Sequence, residues 1–433
     1  MPAITLNPIE HIEGSIRIPG SKSLSNRALL LATLAEGTTR LQNLLDAEDV
    51  DHMLDSLKQL GITITQQEGN FYVKGTGGNF PKRQAVCFLG NSGTSMRSLA
   101  AALCIAQGDY VLEGIPRMYE RPIADLVEGL KTLGANIDYL GQAGYPPLHI
   151  HPSSLKGGPV SLAGNTSSQY VSAVLMLAPY ALKPVTITIA GRLISKPYVQ
   201  MTLDIMEQFG VKASYSSDLK SFEIPLARYT SPGDYWIESD ASSASYFLAA
   251  GAIANKNRDK PVRVEGIGKK SLQGDSQFAR VLEKMGAIVH YEDHAIEISG
   301  PNKLQGIDID MNDMPDVGMT LAMVGLFAEG STTIRNIASW KVKETDRLHA
   351  MATELRKVGA GIETGEDWIR VTPPATQQDW KHVNIETYND HRIAMCFSLV
   401  ALGGVPVTIL NPSCTAKTFP TYFEDFKTLA NAV

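Results

Sequence analysis

The stretch Leu60-Gly61-Ile62-Thr63-Ile64 joins the end of an amphipathic helical pattern to a short β-rich run. The same junction recurs about every 75 residues, with further copies at Leu133-Gly134, Phe209-Gly210, Met285-Gly286 and Val358-Gly359. Glycine just after a helix accepts a positive φ without a Cβ clash, so each copy predicts a helix end followed by a strand. Self-similarity at a fixed period indicates a protein built from repeated units.

Each repeat opens with a helical segment that is apolar almost all round. The predicted opening helices are Ala28 to Leu34, Leu99 to Ala106, Val171 to Ala178, Tyr246 to Ala254, Met319 to Ala328 and Met395 to Leu402. A helix without a polar face is typical of a domain interior. We therefore predict buried opening helices, with the amphipathic second helices and the strands outside.

The sixth repeat ends after a helix predicted over Tyr422 to Ala430 and lacks its closing strands. Two strands predicted at the N-terminus, Ile4 to Ile9 and Gly14 to Pro19, belong to no repeat and are expected to supply them. The sequence therefore predicts an α/β protein with two domains of three repeats each. The first domain spans residues 20–239, and the second combines residues 1–19 with 240–433.

Composition excludes several classes of protein. The 433 residues are 44% hydrophobic and carry a formal charge of −6, which gives no general attraction to nucleic acid or to an anionic membrane. The N-terminus lacks a signal-peptide pattern, and the apolar runs are too short to span a bilayer. The four cysteines have no zinc-site or disulfide spacing. We expect a monomeric cytoplasmic protein.

The turns before the opening helices are rich in small and polar residues. Free NH groups at helix starts bind anions, so these turns are candidate sites for phosphate or carboxylate groups. Repeats one to three offer hydroxyls, glycines and cations: Gly20-Ser21-Lys22-Ser23-Leu24-Ser25-Asn26-Arg27, Gly90-Asn91-Ser92-Gly93-Thr94-Ser95-Met96-Arg97 and Asn165-Thr166-Ser167-Ser168-Gln169. Repeats four to six offer carboxylates: Asp240-Ala241-Ser242-Ser243, Met314-Pro315-Asp316 and Asn389-Asp390-His391-Arg392.

Any one of these turns is also explained as an ordinary helix cap, and recurrence is what favours a binding role. The run Pro19-Gly20-Ser21-Lys22-Ser23 is similar to part of a P-loop but lacks its Gly-x4-Gly-Lys spacing, so ATP use is not predicted. Lys343 and Arg347 are like charges four residues apart, an arrangement that an anion between them would stabilise.

Taken together, these segments resemble the 5-enolpyruvylshikimate-3-phosphate synthase family from about Ile4 to Lys427. The motifs that carry the resemblance occur in family order: Pro19-Gly20-Ser21-Lys22-Ser23, Leu89-Gly90-Asn91-Ser92-Gly93-Thr94, Glu120-Arg121-Pro122-Ile123, Lys343-Glu344-Thr345-Asp346-Arg347 and Asn389-Asp390-His391-Arg392. The resemblance implies two inside-out α/β barrel domains, each of three βαβαββ repeats with buried helices and sheets outside.

The resemblance also implies two groups of binding residues. Those for phosphoenolpyruvate are Lys22, Asn91, Gly93, Arg121, Arg347, Arg392 and Lys417. Those for shikimate 3-phosphate are Ser23, Arg27, Ser167, Ser168, Gln169, Ser195, Tyr198, Asp316, Ser339 and Lys343. Two positions depart from the usual family pattern: Ser98 stands where many relatives have proline, and Ser339 where many have asparagine. The first departure predicts weaker binding of compact competitors such as glyphosate.

The implied reaction is transfer of the enolpyruvyl group to the acceptor's 5-hydroxyl through a tetrahedral intermediate that then loses phosphate. Our hypothesis is that Asp316 takes the hydroxyl proton, while Glu344 and Lys22 handle the carbon proton and the leaving group. His391 is expected to tune Glu344. No cofactor or metal is expected, and the domains are expected to close around the acceptor.

Two alternatives remain at this point. A sister enolpyruvyl transferase acts on UDP-N-acetylglucosamine and shares the barrel, but it has Lys-Asn in place of Lys22-Ser23 and usually a loop cysteine acid. A non-catalytic anion-binding repeat protein would explain the cations, but not the carboxylates Asp316 and Glu344 beside them.

Overall fold

A computed structural model describes residues 2–430 and divides the chain into two lobes. The first lobe is Gly20–Glu238, and the second combines the residues up to Pro19 with those from Ser239 onward. Ser239, which the sequence analysis assigned to the first domain, therefore lies with the second lobe. The structure has no helix long and apolar enough to cross a membrane within the described residues.

Two kinds of helix alternate along the chain, buried opening helices with odd numbers and second helices with even numbers. In chain order they are α1 (Lys22–Leu34), α2 (Glu48–Gln59), α3 (Gly93–Ala102), α4 (Ala124–Thr132), α5 (Ser168–Leu177), α6 (Lys196–Gln208), α7 (Ala241–Ala254), α8 (Phe278–Lys284), α9 (Pro315–Val324), α10 (Arg347–Val358), α11 (His391–Ser398) and α12 (Tyr422–Ala430).

The strands are short and follow the helices in a regular order. They are β1 (Ala3–Leu6), β2 (Gly14–Arg17), β3 (Thr38–Gln42), β4 (Thr63–Gln67), β5 (Asn70–Lys74), β6 (Gln84–Phe88), β7 (Asp109–Glu113), β8 (Asn136–Tyr139), β9 (Leu148–His151), β10 (Gly158–Ala163), β11 (Val185–Ala190), β12 (Ser214–Tyr215), β13 (Ser221–Ile224), β14 (Asp234–Trp236), β15 (Val262–Glu265), β16 (Ile288–Tyr291), β17 (Ala295–Ser299), β18 (Leu304–Gln305), β19 (Asp308–Asp310), β20 (Ala328–Glu329), β21 (Thr332–Arg335), β22 (Gly361–Thr364), β23 (Trp368–Thr372), β24 (Val383–Ile385) and β25 (Val407–Leu410).

The first lobe contains three sheets with one topology. Their strand orders are β14-β3-β5-β4, β6-β7-β9-β8 and β10-β11-β13-β12. In each sheet the first pair is parallel and the other two pairs are antiparallel. The first repeat enters directly at α1, so it takes its parallel partner from β14 at the far end of the lobe.

The second lobe repeats this plan in the sheets β2-β15-β17-β16 and β19-β21-β23-β22, with a third sheet β1-β25-β24 and a small β18-β20 pair. The prediction that the N-terminal strands close the sixth repeat is correct for β1, which pairs antiparallel with β25. It is wrong for β2, which runs parallel to β15 with Gly14 opposite Val262. The fourth repeat has no opening strand of its own, and β2 fills that place as β14 does in the first lobe.

The predicted burial of the opening helices is confirmed. Every residue of α3 and of α7 is buried, whereas α2 alternates buried and exposed positions. In the second lobe, Phe247 of α7 contacts Phe419, Tyr422 and Phe426, which fixes α12 against the lobe interior. Burying one such aromatic side chain contributes roughly 1.5–3 kcal/mol, so these helices anchor the fold.

The helix ends predicted from the repeated glycines are also confirmed. The φ angles are +89° at Gly61, +107° at Gly134, +84° at Gly210, +104° at Gly286 and +108° at Gly359. This left-handed conformation favours glycine over residues with a Cβ atom. The opening helices begin earlier than predicted: α1 starts at Lys22 rather than Ala28, because its polar first turn is part of the helix.

Candidate active site

Lys22 begins α1 in the first lobe, directly after Ser21, whose hydroxyl oxygen accepts the Leu24 N–H at 3.4 Å. The Lys22 Nζ lies 3.2 Å from Oδ2 of Asp49, a buried carboxylate in the first turn of α2. Opposite charges this close attract one another, which holds the Lys22 side chain in place. The pair therefore holds a cation at the N-terminal end of α1.

Arg27 lies on the same helix with its guanidinium group buried. Its Nε donates to Thr202 Oγ1 at 2.8 Å, its Nη1 to the Ser23 carbonyl at 3.0 Å and its Nη2 to Ser172 Oγ at 3.3 Å. Burial lowers the pKa of Arg27 to about 10, because these partners are neutral and do not replace the lost water. An incoming anion would relieve that penalty.

Arg121 follows a short helical turn, Pro116–Glu120, and is buried. Its Nη1 donates to the backbone carbonyl of Asn91 at 2.8 Å and to Asn91 Oδ1 at 3.0 Å. At Gly93, the first residue of α3, a Cβ atom would lie 2.3 Å from Arg97 Nη1 and 2.5 Å from Arg121 Nη2. Glycine at this position therefore lets two guanidinium groups approach the start of α3.

The predicted acceptor residues of the third repeat lie at the starts of α5 and α6. The Ser167 hydroxyl accepts the Gln169 N–H at 3.3 Å, and Gln169 Oε1 accepts from Arg97 Nη1 at 2.8 Å. Ser168 is the buried first residue of α5. Ser195 precedes α6 with φ +53° and accepts the Tyr198 N–H at 3.1 Å. Such a backbone conformation is uncommon and strained for serine.

These helix starts are joined to one another within the first lobe. Arg97 of α3 reaches Gln169 of α5, and Arg27 of α1 reaches Ser172 of α5 and Thr202 of α6. Ser95 Oγ donates to Asn26 Oδ1 at 3.1 Å, which links α3 to α1. The helices that carry most of the predicted residues of this lobe are therefore joined into one group of helix starts. We call it the first cluster: Lys22, Ser23, Arg27, Asn91, Gly93, Arg121, Ser167, Ser168, Gln169, Ser195 and Tyr198.

The second lobe brings a carboxylate and three cations together around Asp316, in the first turn of α9. Asp316 Oδ1 lies 3.0 Å from Arg347 Nη1 and 3.5 Å from Lys343 Nζ, while Oδ2 lies 3.1 Å from Arg392 Nη2. Burial alone would raise the pKa of Asp316, but Lys343, Arg392 and Arg347 together hold it well below the ordinary value. Asp316 is therefore a carboxylate in this state.

Arg347 is the most buried cation of this group, with its side chain 1% exposed. Besides Asp316, its Nε donates to Asp390 Oδ2 at 2.8 Å, and its Nη2 lies 2.9 Å from Glu344 Oε2. Burial alone would lower the pKa of Arg347, but Asp390, Glu344 and Asp316 raise it above its ordinary value. One guanidinium group thus joins three carboxylates from three helix starts.

The other predicted residues of this lobe lie on α11 or in two short turns. Arg392 Nη1 donates to the Tyr246 hydroxyl at 3.4 Å, and His391 Nδ1 lies 3.4 Å from Asp390 Oδ1. Lys417 is buried at the end of a short turn, Pro412–Lys417, that packs against α11. Ser339 is half-buried in another turn, Ala338–Val342. We call Asp316, Ser339, Lys343, Glu344, Arg347, His391, Arg392 and Lys417 the second cluster.

Known proteins resemble this chain over its whole length. Residues 6–426 match the family described as EPSP synthase (3-phosphoshikimate 1-carboxyvinyltransferase). The 3-phosphoshikimate 1-carboxyvinyltransferase of Mannheimia succiniciproducens is 54% identical over 438 residues, covering 99% of this chain and all of that protein. The enzyme of the same name from Vibrio cholerae is 54% identical over 434 residues, with the same coverage.

The chain belongs to the EPSP synthase family.

Solved structures agree with this membership. The EPSP synthase of Acinetobacter baumannii superposes with a TM-score of 0.82 at 26% identity, covering 99% of this chain and 98% of that one. The enolpyruvyl transferase NikO from Streptomyces tendae, at 18% identity and a TM-score of 0.77, covers 99% of this chain and 97% of that one and shares the fold. The family, fold class and enzyme class predicted from the sequence are confirmed.

Sequence reasoning missed several residues that shape the two clusters of this EPSP synthase family member. Asp49 pairs with Lys22, Arg97 binds Gln169, and Asp390 joins Arg347 to the start of α11. Arg97 stood in a candidate anion-binding turn and Asp390 in a motif that carries the family resemblance, but neither was assigned an individual role. Asp49 is harder to single out in the sequence, because it is one of three acidic residues in the first turn of α2. The spacing of these residues does not indicate which of them is buried.

Asp275 is a third missed carboxylate, buried in the turn Gly274–Gln277 before α8. It accepts a short hydrogen bond from the Ser242 hydroxyl at the start of α7. Burial and the charge of Asp316 raise the pKa of Asp275 to about 6, despite the opposing effects of Ser242 and Arg392. This carboxyl therefore titrates within the range used for assays.

Replacing Asp275 with asparagine should remove one component of the pH dependence of stability. A folded-state pKa above the unfolded value near 3.9 means that this group's stabilising contribution is complete below about pH 4. That contribution is lost as the pH rises through about 6. Relative to wild type, Asp275→Asn should therefore gain about 2 kcal/mol in free energy of unfolding between pH 4.5 and pH 7. Urea unfolding at both pH values measures this.

The matched control for this experiment is Asp259→Asn, which changes an exposed residue of the same lobe. Asparagine at 275 keeps an oxygen that accepts from Ser242, so the hydrogen bond survives in the variant. An Asp275→Asn profile parallel to that of wild type would contradict the assignment.

Proposed function

We propose that this chain transfers the enolpyruvyl group of phosphoenolpyruvate to the 5-hydroxyl of shikimate 3-phosphate and releases inorganic phosphate. The observation that supports this most directly is the Asp316 carboxylate held by Lys343, Arg347 and Arg392. Such a centre offers a proton acceptor and charge for anionic substrates at the same place.

The first cluster would bind the anionic groups of both substrates. Lys22, Asn91, Gly93 and Arg121 are assigned to phosphoenolpyruvate, since they place an ammonium and a guanidinium group at two helix starts. Ser23, Arg27, Ser167, Ser168, Gln169, Ser195 and Tyr198 are assigned to shikimate 3-phosphate. Their hydroxyl and amide groups suit a polyhydroxylated acceptor and its phosphate.

The second cluster would supply the remaining cations and the reacting carboxylates. Arg347, Arg392 and Lys417 are assigned to phosphoenolpyruvate, and Asp316, Lys343 and Ser339 to the acceptor. Substrate anions would compete with Asp316 for Lys343, Arg347 and Arg392. As these cations turn to the substrates, the pKa of Asp316 should rise from its low value in the free protein. Binding both substrates would thus make Asp316 a better proton acceptor.

The chemistry would proceed in two steps. First, Asp316 accepts the proton of the 5-hydroxyl, whose oxygen bonds to C2 of phosphoenolpyruvate while a proton adds to the C3 methylene. Second, the resulting tetrahedral intermediate loses a proton from its methyl carbon, and the bond between C2 and the phosphate oxygen breaks. Lys22 and Glu344 are assigned to the carbon proton and the leaving group, with His391 tuning Glu344.

The Gly93→Ala variant should weaken phosphoenolpyruvate binding without unfolding the first lobe. The added methyl group would meet Arg97 and Arg121, so the guanidinium groups must move away from the start of α3. Loss of one charge-assisted contact corresponds to a roughly 10- to 150-fold rise in KM for phosphoenolpyruvate. Initial-rate kinetics measure that rise.

Gly141→Ala is the matched control, because a Cβ atom at Gly141 would meet only Pro147 Cδ, at 3.6 Å. Its KM should equal that of wild type. If Gly93→Ala also keeps the wild-type KM, the assignment of Gly93 and Arg121 is wrong.

A coupled phosphate-release assay tests the proposed function. With phosphoenolpyruvate present, release is expected on adding shikimate 3-phosphate but not on adding UDP-N-acetylglucosamine. Phosphate release only with UDP-N-acetylglucosamine would indicate the activity of the sister enolpyruvyl transferase. No phosphate release with either acceptor would support a non-catalytic anion-binding protein. The monomeric state and closure of the two domains around the acceptor stay predictions.

A further inference from the structure

Two histidines and two aspartates meet on one face of the β6-β7-β9-β8 sheet, on residues to which the proposed function gives no role. His149 and His151 lie two residues apart on β9, so both point away from the lobe interior, while the alternating residues Leu148 and Ile150 are buried. Asp109 lies on β7 opposite His151, and Asp138 lies on β8 opposite His149. Three adjacent strands thus contribute to the group.

The polar atoms of this group face one another. His149 Nε2 makes a short hydrogen bond to Asp109 Oδ1, and His151 Nδ1 lies 3.5 Å from Asp109 Oδ2. The two imidazole rings have centroids 4.0 Å apart. His151 Nε2 lies 3.0 Å from Asp138 Oδ2. Candidate ligand atoms of Asp109, His149 and His151 all lie within 4.8 Å of one another.

We propose that Asp109, His149 and His151 bind a divalent transition-metal ion, with Zn²⁺ as the best match. Zinc takes imidazole nitrogens at about 2.0–2.1 Å and carboxylate oxygens at about 2.0–2.2 Å, so two ligand atoms of a tetrahedral zinc ion lie about 3.4 Å apart. The widest separation in the group would need to shorten by up to about 1.5 Å to reach that spacing, which small side-chain rotations allow. Three protein ligands leave a fourth tetrahedral position for water.

Asp138 has a separate part in this site. A histidine that binds a metal through one ring nitrogen usually donates the other N–H to a carboxylate, which fixes the ring's orientation. His151 offers Nδ1 to the proposed ion and directs Nε2 at Asp138. Asp138 is therefore a positioning residue rather than a ligand.

A second group of similar composition shows why charge balance matters. His290, Glu292 and Glu297 also lie close together, but Arg263 donates to both carboxylates at 2.7–2.8 Å. The Arg263 guanidinium group therefore already supplies positive charge between these carboxylates, where a metal ion would otherwise bind. The Asp109 carboxylate faces the imidazole rings of His149 and His151 instead of a guanidinium group. Neutral imidazole and ionised carboxylate are the forms that a metal requires.

Zinc titration of the untagged full-length chain, first treated with a chelator, tests the site. At pH 7.5 we expect one equivalent of Zn²⁺ to bind, measured by calorimetry and by competition with a chromophoric chelator. His149→Ala and His151→Ala should each weaken binding at least tenfold, and the double variant should abolish it. Asp138→Asn should weaken it 10- to 100-fold, as expected for a residue that orients a ligand.

Glu297→Gln is the matched control and should bind Zn²⁺ like wild type, because Arg263 already neutralises that group. Circular dichroism of each variant checks folding, and these surface side chains contribute little to the core. Absence of zinc binding to the wild-type chain would overturn the proposal. Undiminished binding by the His149→Ala, His151→Ala double variant would also overturn it, since the ion would then lie elsewhere.

Discussion

Asp316→Asn is expected to lower kcat by a factor of roughly 10²–10⁴ while the variant still folds. Asparagine has nearly the shape of aspartate, but its amide cannot accept the proton of the attacking hydroxyl. It also removes the negative charge shared by Lys343, Arg347 and Arg392, so those cations repel one another more strongly. We therefore expect kcat to fall by a larger factor than the affinity for the substrates.

Initial rates at saturating phosphoenolpyruvate and shikimate 3-phosphate measure this loss, and fluorescence titration with the acceptor checks that binding survives. Asp313→Asn, three residues earlier and exposed, is the control and should keep the wild-type kcat. If Asp316→Asn turns over within threefold of wild type, Asp316 is not the proton acceptor.

The Arg347→Met variant is expected to lose both activity and stability. Removing one partner of a buried ionic group leaves the remaining charges buried without compensation, a loss of about 3–5 kcal/mol in free energy of unfolding. Here three carboxylates, Asp316, Glu344 and Asp390, would lose their common cation. Chemical denaturation measures the stability change, which should exceed that of other arginine substitutions in the second lobe.

Arg356→Met provides the comparison, because Arg356 is exposed on the same helix and donates only to the Ile362 carbonyl at 3.2 Å. It should change the free energy of unfolding by less than about 1 kcal/mol. Arg347→Met with wild-type stability would mean that the carboxylates around Arg347 do not depend on it for charge balance.

Much of the fold follows from the sequence because its main signals are local. A glycine after an apolar residue ends each second helix, and apolar opening helices must be buried whatever surrounds them. The error concerned β2, which pairs with β15 rather than closing the sixth repeat. Pairing between strands that are far apart in the sequence depends on which sheet edge is unpaired in the folded lobe. A local sequence pattern does not contain that information.

The candidate site shows the same division between local and distant signals. The sequence predicted the helix starts and the cations near them, because capping residues and charged residues occupy fixed positions in the first turn of a helix. The sequence did not predict the partners of those cations. Lys22 and Asp49 are 27 positions apart in the sequence, and Arg347 and Asp390 are 43 positions apart. The sequence analysis also predicted no metal site at Asp109, His149 and His151, because these residues come from two neighbouring strands rather than from one spaced motif.

The measurement that tests the account most directly is the reaction run in deuterium oxide and followed by proton and deuterium NMR. Addition of a solvent-derived proton to C3 of phosphoenolpyruvate makes a transient methyl group, which then loses one of its three hydrogens. The account predicts deuterium at the vinyl methylene of the enolpyruvyl product, formed together with inorganic phosphate. Product formed without any deuterium at that carbon would contradict addition followed by elimination, and with it the roles proposed for the two clusters.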